Sequence, residues 1–522
     1  MPIQYIDSLD DQMLFVRQED FSGGMDGFNR AVLLPDNVCQ INKNTIQDDT
    51  GLDKTRPGAD PVGGSVLAVD RIEDLEYFDI PGTERLYASV NDTLRSWSNS
   101  NLATVASWAT VGAYPFGANT IQVMRQGNNV LYCSDAVNPW QSYSGAAWSG
   151  SLGSGATDPP VGATMMSWHT FRMFASGIAA TPDTVYVSNL GDAGAGQWPV
   201  ANSFRVGRGE GDPIVSIISY RGFELIVGKE ASIYSVNAHP AAAVADWPIV
   251  RVTGSVGLVA KKCAVMFGDS LFFLAQDGIR TISPTDGQEV PYEVSPPLSE
   301  AMQPYIDRIN WAYAYKSCAW KFRQYLFFAI PIDTTTEPNY VLVFNTRTQR
   351  WMSYWTNWTP TVGTVSRFAG VEQMVFGDSG GYVNYWKENL SEDFDSTYQD
   401  NGSDINWLIR GKAWNFQEPV NWKAPKWAEW RFEGSTGNAT LRVYLDGALA
   451  RQYTESLANV SNSLPIPMLP FDLAVIKPKT IAKSLTGLDK FNEAFLEVEG
   501  TSKKAGLKNW TMGAFMNTHQ NE

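Results

Sequence analysis

Short apolar runs separated by polar turn residues recur along most of this chain. One example is DSLFFLAQDGIRTIS at residues 269–283, where five apolar positions lead into Gln-Asp-Gly before an alternating pattern resumes. Asp-Gly between two such runs is typical of a β-hairpin, because the tight turns that match strand twist need positive φ, which glycine adopts at low cost. The segment therefore predicts two neighbouring antiparallel strands.

The same pattern of two strands and a turn recurs seven times. Each first strand begins 42 to 55 residues after the preceding one, an interval typical of the four-stranded blades of β-propellers. The first strands begin at Leu86, Leu131, Met173, Leu225, Leu271, Leu326 and Met374, and the second strands at residues 94, 140, 185, 233, 279, 341 and 383. We therefore predict an all-β fold built on a β-propeller of six to eight blades.

The pattern changes on both sides of these repeats. Residues 1–60 are polar and turn-rich, with few continuous apolar runs, and are predicted to form an N-terminal arm. Residues 61–410 would form the propeller, and the longer alternating strands that follow predict a C-terminal antiparallel β-sandwich over residues 411–522. The best short helix lies at residues 299–309, with Ser299 as its expected N-cap.

Composition narrows the class of protein. Of the 522 residues, 44% are hydrophobic and 18% are charged, which argues against intrinsic disorder. The 19 Trp, 21 Tyr and 25 Phe favour half-buried β surfaces or a large interface. The formal net charge of −15 disfavours a partner that needs a basic phosphate-binding face. It is compatible with a surface past which DNA slides without being gripped.

The four cysteines, Cys39, Cys133, Cys263 and Cys318, lie far apart, without a Cys-x-x-Cys pair or a neighbouring histidine cluster. This spacing predicts buried free thiols of a reducing compartment rather than disulfides or metal ligands. The N-terminus has no apolar signal-peptide core, and no run approaches the roughly 20 apolar residues that span a bilayer. We expect a chain that is made in a cytoplasm and stays soluble.

No residue pattern points to a catalytic, cofactor or metal site. His169, one of three histidines, lies beside a predicted strand, where a structural role is expected. The segment GRGEGD at 207–212 has phosphate-loop glycines but lacks the Lys-Ser/Thr ending and a following helix, which predicts a flexible connection. The acidic stretch at 390–404 offers oxygen ligands that suit calcium, but its spacing matches no known loop, so a solvated loop is predicted.

Aromatic residues suggest a contact surface. Trp351, Trp355 and Trp358 occur in the segment RWMSYWTNWTP. They either close a blade by packing inside it or form an aromatic rim for a partner, because Trp is enriched both in cores and in interfaces. Both interpretations stay open at the level of sequence.

Three stretches together resemble one known family. FSGGMDGFNRAVLLPDNVCQINKN (21–44) followed by GLDKTRPGAD (51–60) resembles its N-terminal pattern, and SWHTFRMFASGIAATPDTVYVSNLGD (167–192) resembles its blade motif. GSVGLVAKKCAVMFGDSLFFLAQDGIRTIS (254–283) with VLVFNTRTQRWMSYW (341–355) resembles the next two blades. The family is the tail nozzle or stopper proteins of short-tailed bacteriophages, also called packaged-DNA stabilisation proteins.

This resemblance spans about residues 20–385 and implies a structural, non-enzymatic virion component without cofactors, assembled in the host cytoplasm and located in the tail. It implies a homo-oligomeric ring, six-fold in this family, between a tail adaptor and distal knob, needle or tailspike proteins. Packaged DNA would pass through the lumen without specific binding. Within this arrangement the blade turns at Asp277 and Asp378 are predicted to face the lumen, and the three tryptophans to form subunit or adaptor interfaces.

Two other functions are compatible with a propeller, because this fold hosts many activities. The first alternative is a glycan-binding or glycan-cleaving receptor-recognition protein, which clustered carboxylates at one central pocket would support. The second is a cellular scaffold unrelated to viruses. Acidic residues fall mostly in turns of this sequence, where they bond to local backbone, so no carboxylate pair is apparent.

Overall fold

The chain folds almost entirely into β-strands. The structure is a computed structural model that describes residues 13–47, 53–79, 84–91, 93–111, 122–144, 148–285, 292–387, 395–433, 437–457, 479–501 and 505–516. Within these residues seven blades of four antiparallel strands form a closed β-propeller, which confirms the predicted fold class. The seven hairpins predicted from the sequence are the second and third strands of these blades.

Each blade is numbered here in the order in which its inner strand occurs in the chain, and its strands are given from the channel outward. The strands are, in blade 1, Ile72–Phe78, Arg85–Val90, Thr93–Trp97 and Ala109–Thr110; in blade 2, Val123–Gly127, Val130–Ser134, Gln141–Tyr143 and Trp148–Ser151; in blade 3, Met165–His169, Arg172–Ser176, Thr184–Val187 and Ser203–Arg205; in blade 4, Ile214–Ser219, Glu224–Lys229, Ile233–Asn237 and Ile249–Thr253; in blade 5, Ala264–Phe267, Ser270–Ala275, Gly278–Pro284 and Tyr292–Val294; in blade 6, Cys318–Phe322, Tyr325–Ile330, Tyr340–Asn345 and Arg350–Trp355; and in blade 7, Pro360–Ser366, Gln373–Asp378, Val383–Trp386 and Ala59–Pro61.

The second strand of each blade is a nearly continuous apolar run because both of its faces are covered by neighbouring blades. Blade 6 illustrates this with Tyr325–Ile330, which is buried at every position. Alternate side chains of a strand lie on opposite faces. Leu326 and Phe328 therefore pack towards blade 5, whereas Phe327 packs towards blade 7. Such packing on both faces explains why the apolar repeat is visible in the sequence.

The ring is closed by a strand that precedes the first blade in sequence. Ala59–Pro61 pairs antiparallel with Val383–Trp386 as the outer strand of blade 7, and the chain then enters blade 1 at Ile72. The inner strands of blades 7 and 1 also pack against each other. The ends of the propeller are therefore joined by main-chain hydrogen bonds rather than by side chains alone.

The C-terminal part forms a two-sheet antiparallel sandwich. Alternating burial along Lys423–Phe432 places one face of that strand in the core between the sheets, with Trp430 and Phe432 fully buried. One sheet contains Lys479–Ser484, Lys423–Phe432, Gly506–Met516, Met13–Gln18, Asp53–Thr55 and Thr45–Gln47. The other contains Ile41–Lys43, Asn406–Arg410, Ala494–Thr501, Asn438–Leu445 and Ala448–Ser456. Two-stranded pairs are formed by Gly24–Met25 with Val38–Cys39 and by Gln399–Asp400 with Ser403–Asp404.

The segment predicted as an N-terminal arm contributes strands to both the propeller and the sandwich. Met13–Gln18 lies in the sandwich, and Ala59–Pro61 lies in the propeller. Ile41–Lys43 joins the outer strand of blade 6 to Asn406–Arg410, so that blade 6 and one sandwich sheet form a continuous nine-stranded sheet. The propeller and the sandwich therefore share main-chain hydrogen bonds through this segment.

Helices are few and short in the described part of the chain. The predicted helix contains a 3-10 turn at Glu300–Met302 and an α-helical turn at Gln303–Ile306. Ser299 occupies the predicted N-cap position of the 3-10 turn but makes no side-chain capping bond, because its Oγ accepts a hydrogen bond from the N–H of Ile279 at 3.0 Å instead. Further 3-10 turns lie at Ala31–Leu33, Val62–Gly64, Val244–Asp246, Ala314–Lys316, Phe368–Gly370 and Asp395–Tyr398. No described helix has the length and apolar character needed to cross a membrane.

Candidate functional site in the central channel

The inner strands of the blades surround a central cavity of about 360 Å³, and every blade contributes to its wall. This volume lies within the range of small-molecule pockets. The wall combines apolar side chains with hydroxyl groups and five charged residues, which are Asp74, Glu76, Arg125, Lys261 and Lys262. Charged groups from three blades therefore converge in the channel.

Polar bonds join neighbouring blades at the seams around this cavity. Each involves a side chain close to an inner strand, so the wall is held by directional bonds as well as by apolar packing. The bonds join Ser134 Oγ to Ala163 O (2.9 Å), His169 Nδ1 to Ser219 Oγ (2.9 Å), Ser216 Oγ to Lys261 O (3.0 Å), Cys318 Sγ to Pro360 O (3.6 Å) and Thr361 Oγ1 to Ile72 O (2.6 Å). His169 thus lies at the seam between blades 3 and 4.

An ion pair crosses the channel from blade 5 to blade 1. The Lys262 ammonium lies 3.3 Å from Asp74 Oδ1 and also donates to the main-chain oxygen of Glu73. The other carboxylate oxygen of Asp74 accepts a hydrogen bond from the N–H of Met124 in blade 2 at 2.7 Å. Both carboxylate oxygens of Asp74 are therefore occupied, and the pair ties three blades together.

A second ion pair lies at the seam of blades 1 and 2. Glu76 Oε2 lies 3.3 Å from Arg125 Nη1, and Oε1 accepts a hydrogen bond from the N–H of Gln126 at 3.3 Å. Burial raises the pKa of Glu76, and the neighbouring Arg125 guanidinium opposes that shift. The Nε of Arg125 is buried and has no hydrogen-bond acceptor among the residues that the structure describes. This side chain therefore keeps one donor free within the wall.

Lys261, next to Lys262, is the third cation of the wall. Its main-chain oxygen accepts the Ser216 bond, but no hydrogen bond or ion pair of its ammonium is found in the described part of the chain. Burial lowers the pKa of Lys261 to about 8, and the positive charge of Lys262 adds to this effect. The channel therefore contains one ammonium group that no described residue pairs with.

Comparison with known proteins assigns the chain to no family. No family model matches the chain, and no curated protein matches it. The chain is similar to the β-propeller domain of Cps50 (Swd1) from Myceliophteria thermophila, at 11% identity over 62% of this chain and 98% of that chain, with a TM-score of 0.38. It is also similar to Raptor from Chaetomium thermophilum, at 10% identity over 63% of this chain and 28% of that chain, with a TM-score of 0.39. The propeller is established by its seven blades.

The three candidate tryptophans are buried inside the chain. Trp355 is fully buried, and Trp351 and Trp358 are 4% and 3% exposed. Each indole N–H has an internal acceptor: Leu298 O for Trp351, Thr45 O for Trp355 and Asp400 Oδ1 for Trp358. The three indole rings are not accessible to a partner, so the structure favours packing inside the chain over the predicted aromatic interface.

The two candidate acids occupy equivalent turns of different blades. Asp277 lies in the turn between the second and third strands of blade 5, and Asp378 is the last residue of the second strand of blade 7, so both are one strand away from the channel wall. Asp277 is exposed and forms an ion pair with Arg280, whose hydrogen bond lowers the pKa of the carboxyl. Asp378 Oδ1 accepts the N–H groups of Gly380 and Tyr382, both at 2.9 Å, and burial raises its pKa. That these turns face a lumen between subunits stays a prediction.

The acidic stretch at 390–404 is only partly described, since residues 388–394 lie outside the described ranges. Asp400, within it, binds the guanidinium of Arg56 through both carboxylate oxygens. Asp404 Oδ1 accepts a hydrogen bond from the side chain of Gln399 at 2.8 Å. Among the described residues no group of three or more His, Cys, Asp or Glu side chains is placed to hold a metal ion.

The glycine-rich segment at 207–212 is held by its neighbours. The buried ammonium of Lys229 lies 3.2 Å from Glu210 Oε2 and also contacts the main-chain oxygen of Gly207. The carboxylate of Asp212 accepts hydrogen bonds from the N–H of Glu230 and the hydroxyl of Ser232. These contacts account for the two acidic residues of the segment, Glu210 and Asp212, through local structure.

Sequence reasoning missed the charged groups of the channel. Inner strands of a propeller have no distinctive apolar run, because one edge of each faces the channel. The available signals were two acids two positions apart, Asp74 and Glu76, and the paired Lys261 and Lys262 just before an inner strand. None of these spacings identifies a channel unless the register of the inner strands is known.

Proposed function

We propose that this chain is a structural component of the tail of a short-tailed bacteriophage. It acts as a nozzle or stopper below the portal and tail adaptor, retains packaged DNA and forms part of the ejection channel. The observation that carries the proposal is the N-terminal segment, whose strands belong to both the propeller and the sandwich. The ordered resemblance of residues 20–385 to nozzle proteins supplies the biological context.

A stopper must resist separation of its parts, because packaged DNA pushes outward on it. Domains joined only by a linker move relative to each other by default. Here Ile41–Lys43 is hydrogen-bonded to blade 6 on one side and to the sandwich strand Asn406–Arg410 on the other. Separation of the two units would break these main-chain bonds and expose a sheet edge. The arrangement suits a component that bears load.

The net charge of −15 also suits a DNA conduit. A wall of like charge repels the phosphate backbone, so DNA passes without being held. The lumen in this proposal lies between the subunits of a homo-oligomeric ring, six-fold by the family resemblance. The channel within one propeller is crossed by the Lys262–Asp74 ion pair and does not carry DNA.

Exposed apolar side chains supply better interface candidates than the buried tryptophans. Phe171 is 67% exposed at the tip of the first hairpin of blade 3, and Leu190 is 53% exposed in a neighbouring loop of the same blade. The two loops are linked by a hydrogen bond from Gly191 N to Phe171 O at 2.6 Å. Trp422 and Tyr315 are exposed elsewhere. Aromatic residues are enriched at interfaces, and under this proposal these positions contact neighbouring subunits, the adaptor or distal tail proteins.

The test is the composition of phage particles. Quantitative mass spectrometry on gradient-purified particles would compare copies of this chain with copies of the portal protein. A constant ratio near one to two is expected for a six-fold ring below a twelve-fold portal. Absence of the chain from particles would overturn the proposal.

The electrostatic part has a separate test. Asp277→Lys in every subunit adds positive charge at an exposed turn predicted to face the lumen, whereas Asp489→Lys makes the same charge change at an exposed site of the sandwich. Slower DNA ejection is expected for the first variant only, and the difference should shrink at high salt. Equal ejection rates for both variants would remove the assignment of this turn to the lumen.

One observation favours the glycan-recognition alternative. Asp74 and Glu76 are two carboxylates at the central cavity, which is the arrangement that would support this function. Each is bonded to a main-chain N–H and to a cation, which disfavours a role in acid–base catalysis. Hydrolysis or binding of oligosaccharides that is abolished by Asp74→Asn and by Glu76→Gln, but not by Asp489→Asn, would favour the alternative over the nozzle.

A further inference from the structure

The cations of the propeller channel are not balanced by its acids. Of the three cationic side chains in the wall, Lys262 is paired with Asp74 and Arg125 with Glu76. Both acids are occupied by these pairs and by main-chain N–H groups. The Lys261 ammonium is left without a partner in the described part of the chain. The wall therefore carries an uncompensated positive charge.

Arg125 supplies a second unsatisfied group at the same cavity. Its Nε is buried and has no acceptor among the described residues. Buried donors are normally hydrogen-bonded, because the loss of water without a replacement partner costs free energy. The buried Arg125 N–H is therefore a donor that an acceptor from outside the described residues would satisfy, and the ammonium of Lys261 in the same cavity would meet the charge of that acceptor.

We propose that the central channel of the propeller binds a small anion with a carboxylate or phosphate group, whose charge is met by Lys261 and which accepts a hydrogen bond from Arg125. The cavity of about 360 Å³ admits a small molecule. Hydroxyl groups of Ser167 and Thr364 and the indole of Trp168 also line it and offer further contacts. This site does not depend on the proposed role in a phage tail.

The size and charge of the channel restrict the ligand. The Lys262–Asp74 pair spans from blade 5 to blade 1 and blocks passage of a polymer. The chain as a whole is strongly acidic, so it repels polyanions, whereas a compact anion within the channel interacts chiefly with the nearby cations. The inference therefore concerns a metabolite-sized anion and not a nucleic acid.

The protonation of Lys261 supports the same conclusion. Its pKa of about 8 follows from burial and from the nearby charges of Lys262 and Arg71, which Asp74 and Glu73 partly offset. A bound anion would stabilise the protonated form. Affinity should therefore decrease as the pH rises above about 8 and the free protein loses this proton.

Isothermal titration calorimetry of the full chain with inorganic phosphate and, separately, with succinate tests the proposal at constant ionic strength in chloride. The variants are Lys261→Met and the matched control Lys490→Met, which removes an exposed lysine of the sandwich. Saturable binding of at least one probe to the wild type and the control is expected, with at least tenfold weaker binding to Lys261→Met. Binding of phosphate alone or of succinate alone identifies the preferred anionic group. Equal binding to all three proteins, or no binding of either probe at millimolar concentration, overturns the proposal.

A second measurement needs no variant of the channel. The wild-type chain is acetylated briefly with and without a saturating concentration of the probe that binds, and acetylation of each lysine is measured by peptide mass spectrometry. Slower acetylation of Lys261 with the probe present is expected, with an unchanged rate at Lys490. Equal rates at Lys261 with and without the probe would place any bound anion outside the channel and overturn the assignment.

Discussion

Arg56 and Asp400 form a two-point ion pair inside the chain, with Nη1 to Oδ1 at 2.9 Å and Nη2 to Oδ2 at 2.6 Å. Arg56 is fully buried, and its ring neighbours are Trp355 and Trp358, whose ring centres lie 5.4 and 4.5 Å from its guanidinium carbon. Its remaining N–H groups bond to Asn44, Pro57 and Thr356. This cluster joins the N-terminal segment to blade 6. It also joins that segment to the strand Gln399–Asp400, which precedes the sandwich strand Asn406–Arg410.

Removal of Arg56 should strongly destabilise the protein. Arg56→Met leaves the Asp400 carboxylate without its cation in a site where the Asp400 side chain is only 11% exposed. The loss of one partner of such a pair costs about 3–5 kcal/mol. Urea unfolding followed by tryptophan fluorescence measures the change. Arg17→Met is the control, because its ion pair with Glu19 is exposed and a loss of less than about 1 kcal/mol is expected. Equal losses for both variants would contradict a stabilising role of the buried pair.

Gly58, two residues further, cannot accept a side chain. A Cβ at this position would lie 1.8 Å from the main-chain oxygen of Gln399, so Gly58→Ala must displace backbone. We expect a loss of about 2–4 kcal/mol in the free energy of unfolding. Gly402→Ala in the same region is the control, since Gly402 has φ of +76° but open space around it, and strain of about 1 kcal/mol is expected. A smaller loss for Gly58→Ala than for Gly402→Ala would disprove the steric argument.

The ion pair across the channel should couple blades 1 and 5. Lys262→Met, Asp74→Asn and the double variant form a thermodynamic cycle in which Asn retains an acceptor for the N–H of Met124. A coupling energy on the order of 1–3 kcal/mol is expected for a contact of this kind. Chemical denaturation of the four proteins gives this value. Additive effects of the two substitutions would show that the pair contributes no interaction energy.

The ammonium of Lys261 should make stability depend on pH. Its pKa is lowered from 10.5 to about 8 in the folded chain, so between these values the unfolded state binds more protons than the folded state. Stability therefore rises with pH across this interval, and the penalty is fully present below pH 8. The melting temperature of the wild type relative to Lys261→Met should increase from pH 7.5 to pH 9.5. Tyrosines that ionise in this pH range affect both proteins equally, so their contribution cancels in the difference between the two melting temperatures. A difference that stays constant with pH would contradict the lowered pKa of Lys261.

All four cysteines should be unreactive in the folded protein. They are free and buried, and burial raises the pKa of each thiol, that of Cys318 to about 12. The thiolate is the reactive form of cysteine, so a thiol that is buried and has a raised pKa lacks both the solvent access and the ionisation that reaction requires. Ellman's reagent should detect less than one thiol in the native protein within minutes and four in urea. Rapid reaction of a native thiol would show that the blade around it opens.

The sequence by itself determined the repeated hairpins, the all-β class and the buried character of the cysteines. These features are local: strand alternation, turn residues and apolar runs are read within a dozen positions, and the apolar runs are continuous because both faces of the second strands are covered. Whether Trp351, Trp355 and Trp358 pack inside the chain or form an interface could not be predicted locally. Their burial depends on segments outside blade 6, such as those that contain Leu298, Thr45 and Asp400.

The tertiary structure alone decided how the ring closes, that the N-terminal segment adds strands to both the propeller and the sandwich, and which residues line the channel. Arg56 and Asp400 are 344 residues apart, and Lys262 reaches a carboxylate in the first blade from the fifth. Periodicity predicts that strands pair, but it does not specify which distant strand becomes a neighbour. Charges such as Asp74 and Lys261 therefore look like ordinary surface residues in the sequence, and only the circular arrangement of the blades places them around one cavity.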